Sequence, residues 1–208
     1  MKAELKIYLD QNIISMYQEF DMAHQENHVR KVIEQSLEIA QDYDVNLDMV
    51  YVIACYHDIG MKFGRSDHHL TGGLFLYEDD ELKHWFNEGD RKIMREAIED
   101  HRASKEEPPR TIYGKIIAEA DRDINPDIII LRTVQFGFKH YPNLSEEEHL
   151  QRSVNHIKEK YGPDGYLKLW LKTKKNQDGL NKLHALILEP DKLLSIIKAH
   201  YQNIKINL

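Results

Sequence analysis

The sequence predicts an all-α fold: a helical bundle with a metal site between its helices. Three observations carry that prediction. Only 10 glycines and 6 prolines interrupt 208 residues otherwise rich in helix formers. Apolar residues recur at three- and four-residue intervals along much of the chain, the period of a helix with one buried face. Histidines and aspartates recur where those apolar faces turn polar.

Composition bounds the rest. At 41% hydrophobic and 30% charged the chain reads as an ordinary globular protein. Its length suits one domain, taken here as residues 1–208. In that reading a motif core over about 20–125 carries C-terminal helices, 126–208, packed on it. A net charge of -7 gives no general attraction for polyanions, so no sequence-specific nucleic-acid partner is expected. A small phosphorylated ligand in a local basic site remains open. The single cysteine, Cys55, lies in the most apolar stretch and permits no disulfide within the chain, which fits a reducing compartment. The opening MKAELKIYLDQ lacks a secretory apolar region, and no apolar run has the length of a membrane span. The expected location is cytoplasmic, with no membrane partner and homo-oligomerisation left open.

A first helix is expected over about residues 5–20, with Ile7, Ile14 and Tyr17 as its apolar positions. A second, about 27–41, carries Val29, Val32, Ile33, Leu37, Ile39 and Ala40 with a clear one-face period. The third is the apolar stretch MVYVIACYHDIG, residues 49–60, with Asn46 as its N-cap. Adjacent His57 and Asp58 are expected in its last turn and Gly60 at its end. Residues 61–67 form a loop with two basic residues. A helix follows over about 68–86, with a small-residue contact at Gly72 and Gly73. Residues 90–101 form an amphipathic helix on Ile93, Met94, Ala97 and Ile98. The paired prolines of 102–111 mark a loop, and a short buried helix runs from Ile112 to near Asp121. Asn125-Pro126 starts the next element. The run IIILRTV has strand propensity, but its helical surroundings favour a helix. Ser145 and Glu148 form a capping-box pattern for a helix to about Tyr161. YGPDG is a turn, and two helices close the chain, the last starting at Pro190.

Burying an imidazole beside a carboxylate is costly without a partner for both. A metal ion satisfies His57 and Asp58 together; a hydrogen-bonded helix end is the alternative. Other polar residues share the pattern. His24 and His28 are four apart at the start of the second helix, and His68-His69, His101 and Asp121 each fall near a helix end. Ligands from several helix ends can converge on one point inside a bundle.

The ordered set H(28)VRKV, H(57)D(58)IG, H(69)LTGG, EDH(101)R and EAD(121)RD resembles the HD-domain superfamily of metal-dependent phosphohydrolases. The resemblance covers about residues 20–125. It implies an HD-domain-like helical bundle in which His28, His57, Asp58 and Asp121 bind a metal. It also implies hydrolysis of a phosphate ester, of a nucleotide or similar small metabolite, through metal-activated water. Asp58 would orient the water. His69 and His101 match extra histidines that bind substrate phosphate or a second metal, and His24 and His68 are weaker candidates of the same kind. Lys62 and Arg65, just past the pair, are candidates to neutralise phosphate, with Lys62 also placed among the catalytic residues. The family often has a lysine directly after HDIG, where this chain has Met61. Imidazole and carboxylate donors suit Mn²⁺, Fe²⁺, Co²⁺, Ni²⁺, Zn²⁺ or Mg²⁺. Two alternatives stay open: a dinuclear phosphodiesterase or nucleoside polyphosphate hydrolase, and an idle HD scaffold binding a nucleotide or a protein.

Overall fold

The structure, a computed structural model, describes residues 2–20 and 26–206. Its regular elements among these residues are all helical. They fall into two compact units, Met1–Arg122 and Asp123–Leu208.

The first unit is built around α3 (Leu47–Tyr56), whose residues from Met49 to Tyr56 are all buried. A helix apolar on every side must be surrounded, and α3 packs against α2 (Glu26–Ala40), α4 (His68–Glu78), α5 (Glu88–Glu99) and α6 (Ile112–Asp121). Asn46 caps α3 as expected, its side chain accepting from the backbone of Asp48 and Met49 at 2.9 and 3.4 Å. α2 buries Val29, Val32, Ile33 and Ala40 on one face. α5 does the same with Met94, Ala97 and Ile98.

Three boundaries differ from expectation. The first helix breaks at Ile13 into α1 (Ala3–Asn12) and a 3-10 segment, Ile14–Glu19. In α1 the inward residues are Leu5 and Leu9, a pair four apart, so Ile7 between them points outward and is exposed, while Ile14 and Tyr17 are buried. α3 stops at Tyr56, and Gly60 lies inside a second 3-10 segment, Ile59–Phe63, rather than ending the α-helix. α4 ends at Glu78, and a separate 3-10 turn, Glu81–His84, follows it.

Gly60 serves close approach. A Cβ there would stand 1.9 Å from the His68 carbonyl oxygen and 2.6 Å from the Gly72 nitrogen. Only a residue without a side chain lets the Ile59–Phe63 segment lie this tightly on α4.

The second unit holds α7 (Pro126–His140), α8 (Glu146–Tyr161), α9 (Lys174–Ile187) and α10 (Pro190–Ile206). Asn125 caps α7 with Pro126 in its first turn, so the IIILRTV run is helical. Ser145 and Glu148 make the full capping box of α8. Ile130, Val134, Ile157, Leu183, Leu193 and Ile197 are buried in this unit, and the rings of Phe138, His149 and Tyr201 stack within it. No described helix is long and apolar enough to cross a membrane.

Candidate metal centre

Five helix ends of the first unit meet at Asp58. His28 lies in the opening turn of α2, His57 and Asp58 follow the end of α3, and Asp121 closes α6. His68 opens α4, and His101 lies just past α5. His57, Asp58 and His101 are buried.

The four residues expected as ligands face one another. His28 Nε2 stands 3.2 Å from Asp121 Oδ1 and 3.6 Å from Asp58 Oδ2. His57 Nε2 stands 3.3 Å from Asp58 Oδ2, 4.0 Å from Asp121 Oδ1 and 3.3 Å from His28 Nε2. Two donors each about 2.1 Å from one ion lie about 3.0 Å apart at a right angle and about 3.4 Å apart at a tetrahedral angle. The observed spacings are those of a ligand cage.

The other oxygen of Asp58 has its own partners. Oδ1 stands 3.4 Å from His68 Nε2 and 3.5 Å from His101 Nε2. Two groups able to hold an ion therefore share Asp58: one with His28 and His57, the other with His68 and His101.

Backbone carbonyls set the imidazole tautomers. His57 Nδ1 donates to the Ala54 carbonyl at 2.8 Å, His68 Nδ1 to that of Arg65 at 2.8 Å, and His101 Nδ1 to that of Ile98 at 2.6 Å. A carbonyl only accepts, so Nδ1 carries a proton and Nε2 is the nitrogen that faces Asp58, where it can hold a metal or a second proton. This is the arrangement by which ligating histidines are held on metals. Lone pairs and carboxylate oxygens brought this close repel unless a cation or protons lie between them. The donor set thus fits a divalent ion of the Mn-to-Zn series.

The electrostatics carry the same demand. Burial would lower the pKa of His28, but the carboxylates of Asp121 and Asp58 outweigh it and hold it at about 10. Burial would raise both carboxyl groups, yet the surrounding imidazoles keep Asp58 and Asp121 well below the usual carboxylate range. His101 is raised: burial opposes its charge, but Asp58 prevails. His68 is lowered, chiefly by burial.

The remaining candidates lie apart from this cluster or outside it. His69 neighbours His68, with ring centroids 5.7 Å apart, but its Nδ1 is buried without a hydrogen-bond partner. Burial and then Arg102 push its pKa down to about 4. It is His68 that reaches Asp58, the histidine given less weight from sequence. Lys62 and Arg65 are exposed in the segment after the pair, and the carbonyl of Arg65 orients His68. His24 lies outside the described residues.

Sequence reasoning also missed Tyr17, read only as an apolar helix position. Its buried hydroxyl donates to the Cys55 carbonyl at 2.8 Å and accepts from the Asp58 amide at 3.3 Å, bracing the turn that aims Asp58. Nothing local in the sequence marks that role.

Residues 26–125 match the HD domain family. A solved structure, described as a predicted HD superfamily hydrolase from an uncultured Thermotogales bacterium, is similar in fold. It is 24% identical, with 73% of this chain and 84% of that one covered and a TM-score of 0.51. No curated protein matches the chain significantly. The matched span holds His28, His57, Asp58, His68, His101 and Asp121, so the similarity to the HD domain family takes in all six donors of the centre.

Proposed function

We propose that this chain hydrolyses a phosphate ester of a nucleotide or similar small metabolite, using a divalent ion held by His28, His57, Asp58 and Asp121. One observation carries the reading: two imidazole Nε2 atoms face two carboxylate oxygens at 3.2–4.0 Å, the four residues coming from three helix ends. A divalent ion bound there lowers the pKa of a coordinated water toward neutrality and polarises a phosphoryl oxygen. Asp58 is buried and fixed through its amide by Tyr17, so its carboxylate holds a set direction toward the reacting centre. Lys62 and Arg65, exposed beside the site, offer positive charge for a substrate phosphate. His69 stands next to His68 as a further phosphate contact. A reducing, cytoplasmic setting suits the lone buried Cys55.

The split of Asp58 supports a second, related reading. Its Oδ2 faces His28 and His57 while Oδ1 faces His68 and His101, so a bridging carboxylate would join two ions. Such a pair clamps both the attacking and the leaving oxygen of an in-line displacement, which suits a phosphodiester or a nucleoside polyphosphate.

Elemental analysis of purified wild type and Asp58→Ala, with phosphate release from a nucleotide panel, tests both readings. One ion per wild-type chain with activity, both lost in the variant, supports the mononuclear hydrolase; two ions support the second reading. A metal-free wild type that stays inactive with added Mn²⁺ would leave a binding scaffold.

A further inference from the structure

His68 and His101 come from segments far apart in the chain, carried by the packed helices α4 and α5, and the Arg102 side chain adds a link between those segments at the site. Arg102 directly follows His101. Its Nη1 donates to the Ser66 carbonyl at 2.9 Å. Ser66 lies between Arg65, whose carbonyl holds His68 Nδ1, and His68 itself. The rings of His68 and His101 then stand 5.3 Å apart, both aimed at Asp58 Oδ1.

The two sides of this contact are unequal. The loop after His101 is anchored: buried Asp100 accepts from the backbone amide of Arg110 at 2.8 Å and from its Nε at 2.9 Å, and it pairs with Lys105. The stretch from Lys62 to Asp67 is exposed throughout. Gly64 within it has φ 127° and no atom within 4 Å of where a Cβ would lie, so packing gives the loop little support there.

We infer that Arg102 is a positioning residue: it clasps the 64–67 loop to the end of α5 and thereby assembles the Asp58–His68–His101 half of the centre. The inference rests on the two-ion reading. The contact lies on the His68 and His101 side of Asp58. Its loss should weaken one ion site and spare the other.

The test measures Mn²⁺ binding to the metal-stripped full chain, by calorimetry and by electron paramagnetic resonance, for wild type, Arg102→Met, Arg102→Lys and His101→Ala. His101→Ala identifies which binding step belongs to the Asp58 Oδ1 group. Arg102→Met should weaken that step by about 10-fold, the low end of the cost of losing a ligand's direct hydrogen-bond partner, because Arg102 acts one bond further out, and leave the other within about twofold. Arg102→Lys, which keeps a donor, should restore part of the loss. Without metal, trypsin should cut Arg102→Met after Lys62 and Arg65 several-fold faster than wild type. Two ions bound with unchanged affinities in Arg102→Met would overturn the clasp, and so would equal weakening of both steps. A wild type that binds one ion overturns the two-ion reading, and the inference with it.

Discussion

His28 Nε2 lies 3.2 Å from Asp121 Oδ1, which closes the first ligand group across the start of α2 and the end of α6. Neither residue is near the other in sequence, and α2 and α6 pack directly against each other. Replacing Asp121 by Ala should therefore lower metal affinity by at least about tenfold, the lower end of what removing a ligand's hydrogen-bond partner costs. In the metal-stripped protein the same change should lower the His28 pKa, read by NMR titration. An unchanged affinity would remove Asp121 from the site.

The metal-stripped protein should lose stability as pH rises from about 6.5 toward 10. His28 is held at about 10 because Asp121 and Asp58 outweigh its burial, whereas an unfolded histidine titrates near 6.5. A raised pKa contributes stability that is complete below the unfolded value and is lost as pH climbs through the folded one. The lowered carboxyl groups of Asp58 and Asp121 act at the other end. Their contribution is present above the ordinary carboxylate range and lost as pH falls. Thermal melts in chelator at pH 6.5 and 9.5 should show a falling Tm, and His28→Gln should flatten that slope. Metal uptake has the opposite dependence, tightening as pH rises because the ion displaces a proton from His28. A melting temperature in chelator that rises over this range would refute the assignment.

Gly60→Ala should destabilise the fold by about 1–3 kcal/mol, the cost of forcing extra volume into a packed contact. The atoms a methyl would meet, the His68 carbonyl oxygen at 1.9 Å and the Gly72 nitrogen at 2.6 Å, are backbone and cannot swing aside. The shift would carry His68 away from Asp58. Chemical denaturation measures the first effect and Mn²⁺ binding the second.

Tyr17→Phe removes one oxygen and leaves two buried backbone groups, the Cys55 carbonyl and the Asp58 amide, short of a partner. The expected loss is about 1–3 kcal/mol. If Tyr17 also aims Asp58, metal affinity falls in the variant, and a stable variant with unaltered metal binding would confine Tyr17 to packing.

The expectation of one domain over residues 1–208 leads to a calorimetric test. One domain gives a single transition with equal calorimetric and van't Hoff enthalpies. Two resolved transitions would instead assign separate cooperativity to Met1–Arg122 and Asp123–Leu208.

Much of this architecture could be read locally. The Asn46 cap, the Ser145–Glu148 box, Pro126 in the first turn of α7 and the one-sided apolar faces of α2 and α5 depend on neighbours within about one turn. The six donors of the centre were visible as polar residues where apolar helices end. Their convergence follows from burying α3 on all sides, which draws the ends of its neighbours together.

Of the two adjacent histidines the sequence reading favours His69 over His68, with nothing local to decide between them. In HHLTGG each histidine has a glycine four residues on, His68 with Gly72 and His69 with Gly73, so the pattern is symmetrical. The tertiary structure breaks it. Gly72 lies against Gly60, beside His57 and Asp58, while Gly73 lies against α5 at Arg95. Adjacent helical residues point about 100° apart, so docking Gly72 on Gly60 turns His68 toward Asp58 and His69 away. Local chemistry determined which residues can bind a metal. Only the packing of one helix on another decided which of them meet.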